Sequence, residues 1–475
     1  MVVHILGTAY ETLFPKQYLY HICAAILALY VIRTLSQGRK TSRDRDLHGR
    51  VVLMTGAFTP LGLTLMESLA ARGAHIIALS PEPIDLSPPP LSASPTALLI
   101  EALRTASGNQ HIYAEHCDIE SPAHIRAFCT RFLTGNDTRL DAIVFAHEAP
   151  HVGNVVGGRK AHKAEDAKRR SVRSLATFLI TTLLLPALLV APPERDIRIV
   201  HVVNPFYAAG AGMGKTRAKG LGLKLACTEG ARALRTIVYS RHLQRVLDAL
   251  PAAQVPKTDA EAGGANAASV PVVSQKEQRS NITTVSVSPG ISRLTTIAPM
   301  LGASESDRWS WTGFLFYVLL NPLFRLLAKG SSAAIQSILH ALFVPTPFKI
   351  LAGTVEKDTT DADGDVKPRQ EVLKPGALYA ECAVVPLEVT VPDEWIEQDA
   401  QNETAKAEKE KGKAKAKSNA QDETLSLADD REYGGERAGR AVWEAFEAAL
   451  KVWEASEEKE KPAAEGEKST AAPSS

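Results

Sequence analysis

The chain lacks an excess of charge of either sign. Its 54 Lys and Arg stand against 53 Asp and Glu, leaving a net charge of +1, so no global field selects nucleic acid as a partner. Cysteine is sparse: Cys23, Cys117, Cys129, Cys227 and Cys382 are scattered without C-x-x-C spacing. That excludes a disulfide framework and a structural zinc site and points to a reducing compartment, with all five read as packing residues. A phosphate-binding loop is missing as well. The stretch GAGMGKTR (210–217) comes near G-x-x-x-x-G-K-[ST], but the residue at the required first glycine is Ala209, and Gly210 stands one position too late.

What is present is a chain of 475 residues, 45% hydrophobic and 23% charged, able to bury one large core or two small ones. Near its start YLYHICAAILALYVI (18–32) is apolar, and Arg33, Arg39, Lys40, Arg43 and Arg45 follow. With Thr34 and Leu35 it is just long enough to cross a bilayer, for which about 20 residues are needed. No small-residue cleavage site follows it. Positive charge on its C-terminal side predicts a single-pass anchor over 18–35, the N-terminus across the membrane and the main body cytosolic, at the endoplasmic reticulum or the mitochondrion. A mitochondrial targeting helix and a helix docked on the domain are the alternatives.

Four stretches are too poor in apolar residues to offset chain entropy: 252–280, 354–372, the Lys/Glu/Ala-rich 398–424, and the tail 456–475. They divide the chain into a main domain over 48–350 and a C-terminal extension over 351–455. Within these limits short apolar runs alternate with helical periods. RVVLMTG (50–56), AHIIALS (74–80), HIYAEHCDI (111–119), LDAIVFAH (140–147), RIVHVV (198–203) and NITTVSVSPG (281–290) read as strands. Helical periods run over 61–73, 121–135 and 171–189, and over 223–247 ahead of the last strand. Strands separated by helices in this way predict βαβ units, hence an α/β, Rossmann-like, doubly wound parallel sheet with helices on both faces.

Taken together, TGAFTPLG (55–62), CDIESPAHIRAF (117–128), RLDAIVFAHEAP (139–150), FLITTLLLPALL (178–189), RIVHVVN (198–204) and SVSPGI (286–291) resemble the short-chain dehydrogenase/reductase superfamily in order and spacing. The segments 376–385 and 440–450 resemble the terminal strand and helix of its retinol-dehydrogenase-like branch. A fungal family of such proteins of unknown function, membrane-anchored and with insertions of this kind, is the group the chain most resembles. The resemblance implies a nicotinamide cofactor, NAD or NADP, held by Thr55, Gly56 and Gly62, by Asp118 near the adenine, and by Pro289 and Gly290. Glu82 or Asp85 could meet a ribose, and no arginine follows for a 2′-phosphate, which leans toward NAD; solvated loop acids are the alternative.

Departures from that pattern carry the functional expectation. Pro60 stands where the family's turn has its middle glycine, so one phosphate-facing N–H is lost and binding is expected to be weak. FAHE (145–148) replaces a small tight turn. The family's helix Asn falls on Arg173, its catalytic Ser on Asn204, and its Tyr-x-x-x-Lys pair on Gly220 and Lys224. Hydride transfer to a carbonyl needs a nearby acid, and glycine donates nothing. Tyr207 is the nearest phenol. The expected catalytic set is therefore Tyr207, Lys224 and Asn204 or none, and two readings stand: a ligand-binding or scaffold protein with a degenerate site, or an oxidoreductase with displaced acid–base groups. WSWTGFLFYVLLNPLFRLL (309–327) favours a hydrophobic small molecule, as a helix lining an apolar pocket, covering the core as a lid, or lying at the bilayer interface. No metal is expected; a membrane and a protein partner are.

Overall fold

The computed structural model of the chain describes residues 16–83, 94–135, 139–150, 152–153, 155, 160–192, 195–212, 221–254, 280–304, 309–346, 371–389, 427 and 430–469. The stretches 252–280, 354–372 and 398–424 lie almost wholly outside these. The described residues form an eight-stranded sheet, ordered β3-β2-β1-β4-β5-β6-β7-β8. The strands are β1 Val51–Thr55, β2 His75–Ser80, β3 Ile112–His116, β4 Ala142–Phe145, β5 Ile197–Val202, β6 Ile282–Ser288, β7 Leu378–Ala380 and β8 Ala383–Val384. All neighbours are parallel except β7 and β8. The strand order reverses beside β1, which pairs with β2 on one side and β4 on the other, and open sheets of this class bind ligands in the crevice at such a reversal.

The central strands are buried on both faces, β5 and β6 along their whole lengths, as helices on both sides require. Three of those helices start on the same local signal, a hydroxyl residue followed by proline. Thr59, Ser94 and Ser121 cap Pro60–Ala70, Pro95–Ser107 and Pro122–Thr134, their side chains accepting from Gly62, Ala97 and His124 N–H. The cap occupies one orphan donor, and proline supplies a preset φ where no N–H is needed.

Two apolar layers result. One packs Leu61, Leu65 and Leu69 with Ile338 and Leu342 of the helix Gln336–Phe343. The other packs helices Lys160–Leu189 and Leu221–Gln254 against the opposite face through Phe178, Leu184, Ile237 and Tyr239. By length and composition Glu165–Leu189 could cross a bilayer, yet more than half of it is buried in the protein, as in a core helix.

The last part of the chain completes this second layer. Strand β7 extends the sheet beside β6, and the helix Gly435–Ser469 lays Phe446 on Phe178 and Tyr239, with ring centroids 5.6 and 5.7 Å apart. Glu457 accepts from Ser121 Oγ at 2.5 Å and from Ala123 N–H at 3.2 Å, doubling the cap on Pro122–Thr134. The helix continues to Ser469 through residues read as solvated tail, a stretch rich in Ala, Glu and Lys, which are strong helix formers. Truncating Phe446 to alanine removes a buried aromatic and should cost about 3–5 kcal/mol, read as a lower urea midpoint at unchanged slope.

Candidate nucleotide and ligand site

The turn after β1 is built by two glycines that nothing else can replace. Gly56 has φ of +66°, and a Cβ there would lie 2.6 Å from the His147 backbone nitrogen. A Cβ on Gly62 would lie 2.2 Å from the Gly56 carbonyl oxygen. The helix N-terminus above them is partly spent. Pro60 has no N–H, and the Gly62 N–H is taken by Thr59 Oγ1 at 3.1 Å, which itself donates to the Gly56 carbonyl at 2.8 Å. Two of the first three helix donors are therefore unavailable to a phosphate.

Thr55 is fully buried, and its hydroxyl lies 2.7 Å from His147 Nδ1. On the far side of the ring His147 Nε2 lies 2.9 Å from the Arg173 carbonyl oxygen. A carbonyl only accepts, so Nε2 carries the proton and Nδ1 accepts from Thr55. Burial holds this imidazole below its usual pKa, keeping it neutral. Beside it the Glu148 carboxylate is clasped by the hydroxyls of Thr177 at 2.9 Å and Thr236 at 3.0 Å. Arg173 pairs with Glu120 at 2.6 Å. FAHE thus carries a polar network tying β4 to both long helices. Sequence reading registered FAHE only as replacing a small tight turn, because the partners of His147 and Glu148 lie 26 or more positions away.

The remaining expected residues fall as follows. Asp118 is half-buried after β3 and accepts from Glu120 N–H at 2.9 Å. Pro289 is buried and Gly290 half-buried after β6, and the Lys329 side chain runs over Gly290. Glu82 is exposed after β2, and Asp85 lies outside the described residues. Asn204 is buried after β5, donating to the Glu229 carbonyl at 3.0 Å while its oxygen accepts from Phe206 N–H at 3.0 Å. Tyr207 opens the short helix Tyr207–Gly212, half-buried; burial and then the Glu381 carboxylate raise its phenol pKa. Lys224 lies in the first turn of Leu221–Gln254, its side chain outside the described residues, as are residues 213–220 with Gly220. A feature the sequence did not disclose is the ion pair between buried Lys329 and Glu381. A cavity of about 760 Å³ lies elsewhere, between the two long helices and the final one, lined by Arg170, Ser174, Arg232 and Phe446 among others. None of the turn residues, Asn204 or Tyr207 lines it.

Strand order, the glycine turn after β1 and the Pro-Gly pair after β6 define a short-chain dehydrogenase/reductase-like protein. Sequence relatives agree with the class. The chain is 24% identical over 357 residues to the uncharacterized oxidoreductase YNL181W of Saccharomyces cerevisiae, covering 73% of this chain and 81% of that one. It is 24% identical over 362 residues to the uncharacterized oxidoreductase pbr1 of Schizosaccharomyces pombe, covering 73% and 84%. With human retinol dehydrogenase 11 it shares 22% identity over 377 residues, 76% of this chain and 94% of the other. No family model matches the chain.

One buried group near the site is without a hydrogen-bond partner. His201 on β5 stacks on Phe145 at 5.2 Å, and neither ring nitrogen is bonded. Burial pushes its pKa down to about 3. Below about pH 6.5 the unfolded chain takes up a proton that folded His201 refuses until about pH 3. Stability is therefore full above pH 6.5 and falls as pH drops, by about 1.4 kcal/mol per unit for this residue. His201→Phe keeps the stack and should remove about 2 kcal/mol of the stability lost between about pH 7 and about pH 5, read as a smaller fall in urea midpoint.

Proposed function

We propose that this chain is a membrane-anchored protein of the short-chain dehydrogenase/reductase fold that binds NAD(H) or NADP(H) weakly at the Thr55–Gly62 turn and holds an apolar ligand or a protein partner without the usual hydride chemistry. The observation that carries this reading is the state of Asn204 and Tyr207, the two members of the expected catalytic set whose side chains are described. Asn204 is committed at both ends of its amide to the loop and to Leu221–Gln254. The Tyr207 phenol is shifted up, whereas a tyrosine acid needs its pKa brought down toward the working range. A proton donor contributes typically about 10²–10⁴-fold to such a step, so its loss leaves little turnover.

The anchor is the helix Lys16–Ser36, whose apolar side chains, Ile26, Leu27 and Tyr30 among them, face outward. Its 21 residues extend about 31 Å, the thickness of a hydrocarbon core. The domain faces the cytosol in this reading, on the endoplasmic reticulum or the mitochondrion. The second reading, an oxidoreductase acting on an apolar alcohol or ketone through Tyr207 and Lys224, is favoured by the relatives, whose names are those of oxidoreductases and a retinol dehydrogenase.

Titration of the full chain in detergent with NADH and NADPH, followed by thermal shift, separates the readings. A weak shift that strengthens in Pro60→Gly is expected, since the substitution restores one donor at the helix N-terminus. No shift in either protein removes the cofactor from the proposal. Robust turnover of a lipid alcohol that collapses in Tyr207→Phe or Lys224→Ala establishes the second reading and ends the first.

A further inference from the structure

We propose that the helices Trp311–Leu319 and Asn321–Leu327 are seated in the cytosolic-side interface of the bilayer that the N-terminal helix crosses. This rests on the anchored reading of residues 18–35. The first observation is a stripe. Trp311, Leu315, Leu319, Leu323 and Leu327 recur every fourth position and are 72, 67, 69, 45 and 54% exposed, running through both helices past the break at Leu320. Between Trp309 and Leu327 the single charged residue is Arg325. Contiguous exposed apolar surface of this kind marks a protein or membrane contact.

The second observation names the occupant. The stripe is bonded directly to the anchor. The Arg33 guanidinium donates to the carbonyls of Arg325 and, at 3.1 Å, Ala328; Ser36 Oγ donates to the Leu326 carbonyl at 2.7 Å. Gln37 closes the joint, its amide donating to the Ala328 carbonyl at 3.3 Å and accepting from Gly330 N–H at 3.0 Å. These bonds satisfy carbonyls at the end of Asn321–Leu327 that would otherwise need solvent. A helix crossing a bilayer from this joint carries the stripe to the membrane surface with it. The flank is basic: Arg39 and Lys40 are exposed just past the joint, as is Arg325. Such a collar suits the anionic head groups of a cytosolic leaflet.

Nine and seven residues are too few to cross, since about 20 are needed. Both helices lie in the interface, where the indoles of Trp309 and Trp311 find apolar and polar surroundings at once. The segment leaves the sheet at Pro289 and Gly290 and is clamped where it returns, Lys329 N–H donating to the Ile291 carbonyl at 3.1 Å and Arg293 N–H to the Lys329 carbonyl at 3.3 Å.

The test uses the full chain in phosphatidylcholine vesicles with and without phosphatidylserine. In a Cys23→Ser background the other four cysteines are buried; Leu315→Cys, Leu319→Cys and, as the exposed control, Glu101→Cys each add one reactive thiol. Reaction with a charged maleimide should be at least roughly tenfold slower at 315 and 319 than at 101, and slower still with phosphatidylserine present. Equal rates in chain that resists carbonate extraction overturn the seat and leave the anchor. Release by carbonate together with slow labelling of vesicle-bound chain removes the anchor and supports the seat. Protection that appears without vesicles, grows with protein concentration and yields cross-linked pairs assigns the face to a second copy and overturns the proposal.

Discussion

Between the ends of β1 and β4 there is room for a hydrogen atom and not for a methyl group. The Gly56 turn passes so close to the Ala146 and His147 backbone that any side chain at position 56 would collide with it, and Thr55 closes the contact by bonding His147 from below. This closeness sets the crevice where the strand order reverses. It also fixes the direction of the helix Pro60–Ala70, whose Gly62 rests on the Gly56 carbonyl. A dinucleotide at this crevice would meet a turn held rigid from beneath.

The same close packing explains why polar groups around the crevice are engaged by fixed partners. A buried carboxylate or imidazole is costly unless bonded, so Glu148, His147 and Asn204 are each held by fixed partners. Those partners belong to the long helices, which makes the site's polar residues part of the scaffold.

The strands and most helices between them were legible because burial on both faces demands continuous apolar runs; the helix Pro95–Ser107 went unread, although Ser94 followed by proline marks its start as Thr59 and Ser121 mark theirs. The segment 309–327 was legible as apolar helix, but its break after Leu319 was not, since Pro322 suits the first turn of a new helix as well as a kink in an old one. The β7–β8 turn was hidden for a different reason. Glu381 and Cys382 both take left-handed backbone, with φ of 54° and 58°, where glycine or asparagine would have signalled a tight hairpin. The Lys329 ion pair on Glu381 joins residues whose proximity no local pattern encodes. Roles at Asn204 and Tyr207 were assigned by spacing alone, and spacing is silent about which hydrogen bonds a side chain already makes.

The final helix covers an apolar face that belongs to helices finished long before it. Leu221–Gln254 is complete well ahead of Gly435, where the covering helix begins. At about 5–20 residues per second of synthesis, Phe178 and Tyr239 stay uncovered for on the order of ten to forty seconds in a chain whose apolar start has already emerged. Newborn copies close to one another would present these faces to each other throughout that interval. Production of this protein is therefore a race between its own last helix and its neighbours, and its yield should depend on holdase chaperones far more than the stability of the finished fold would suggest.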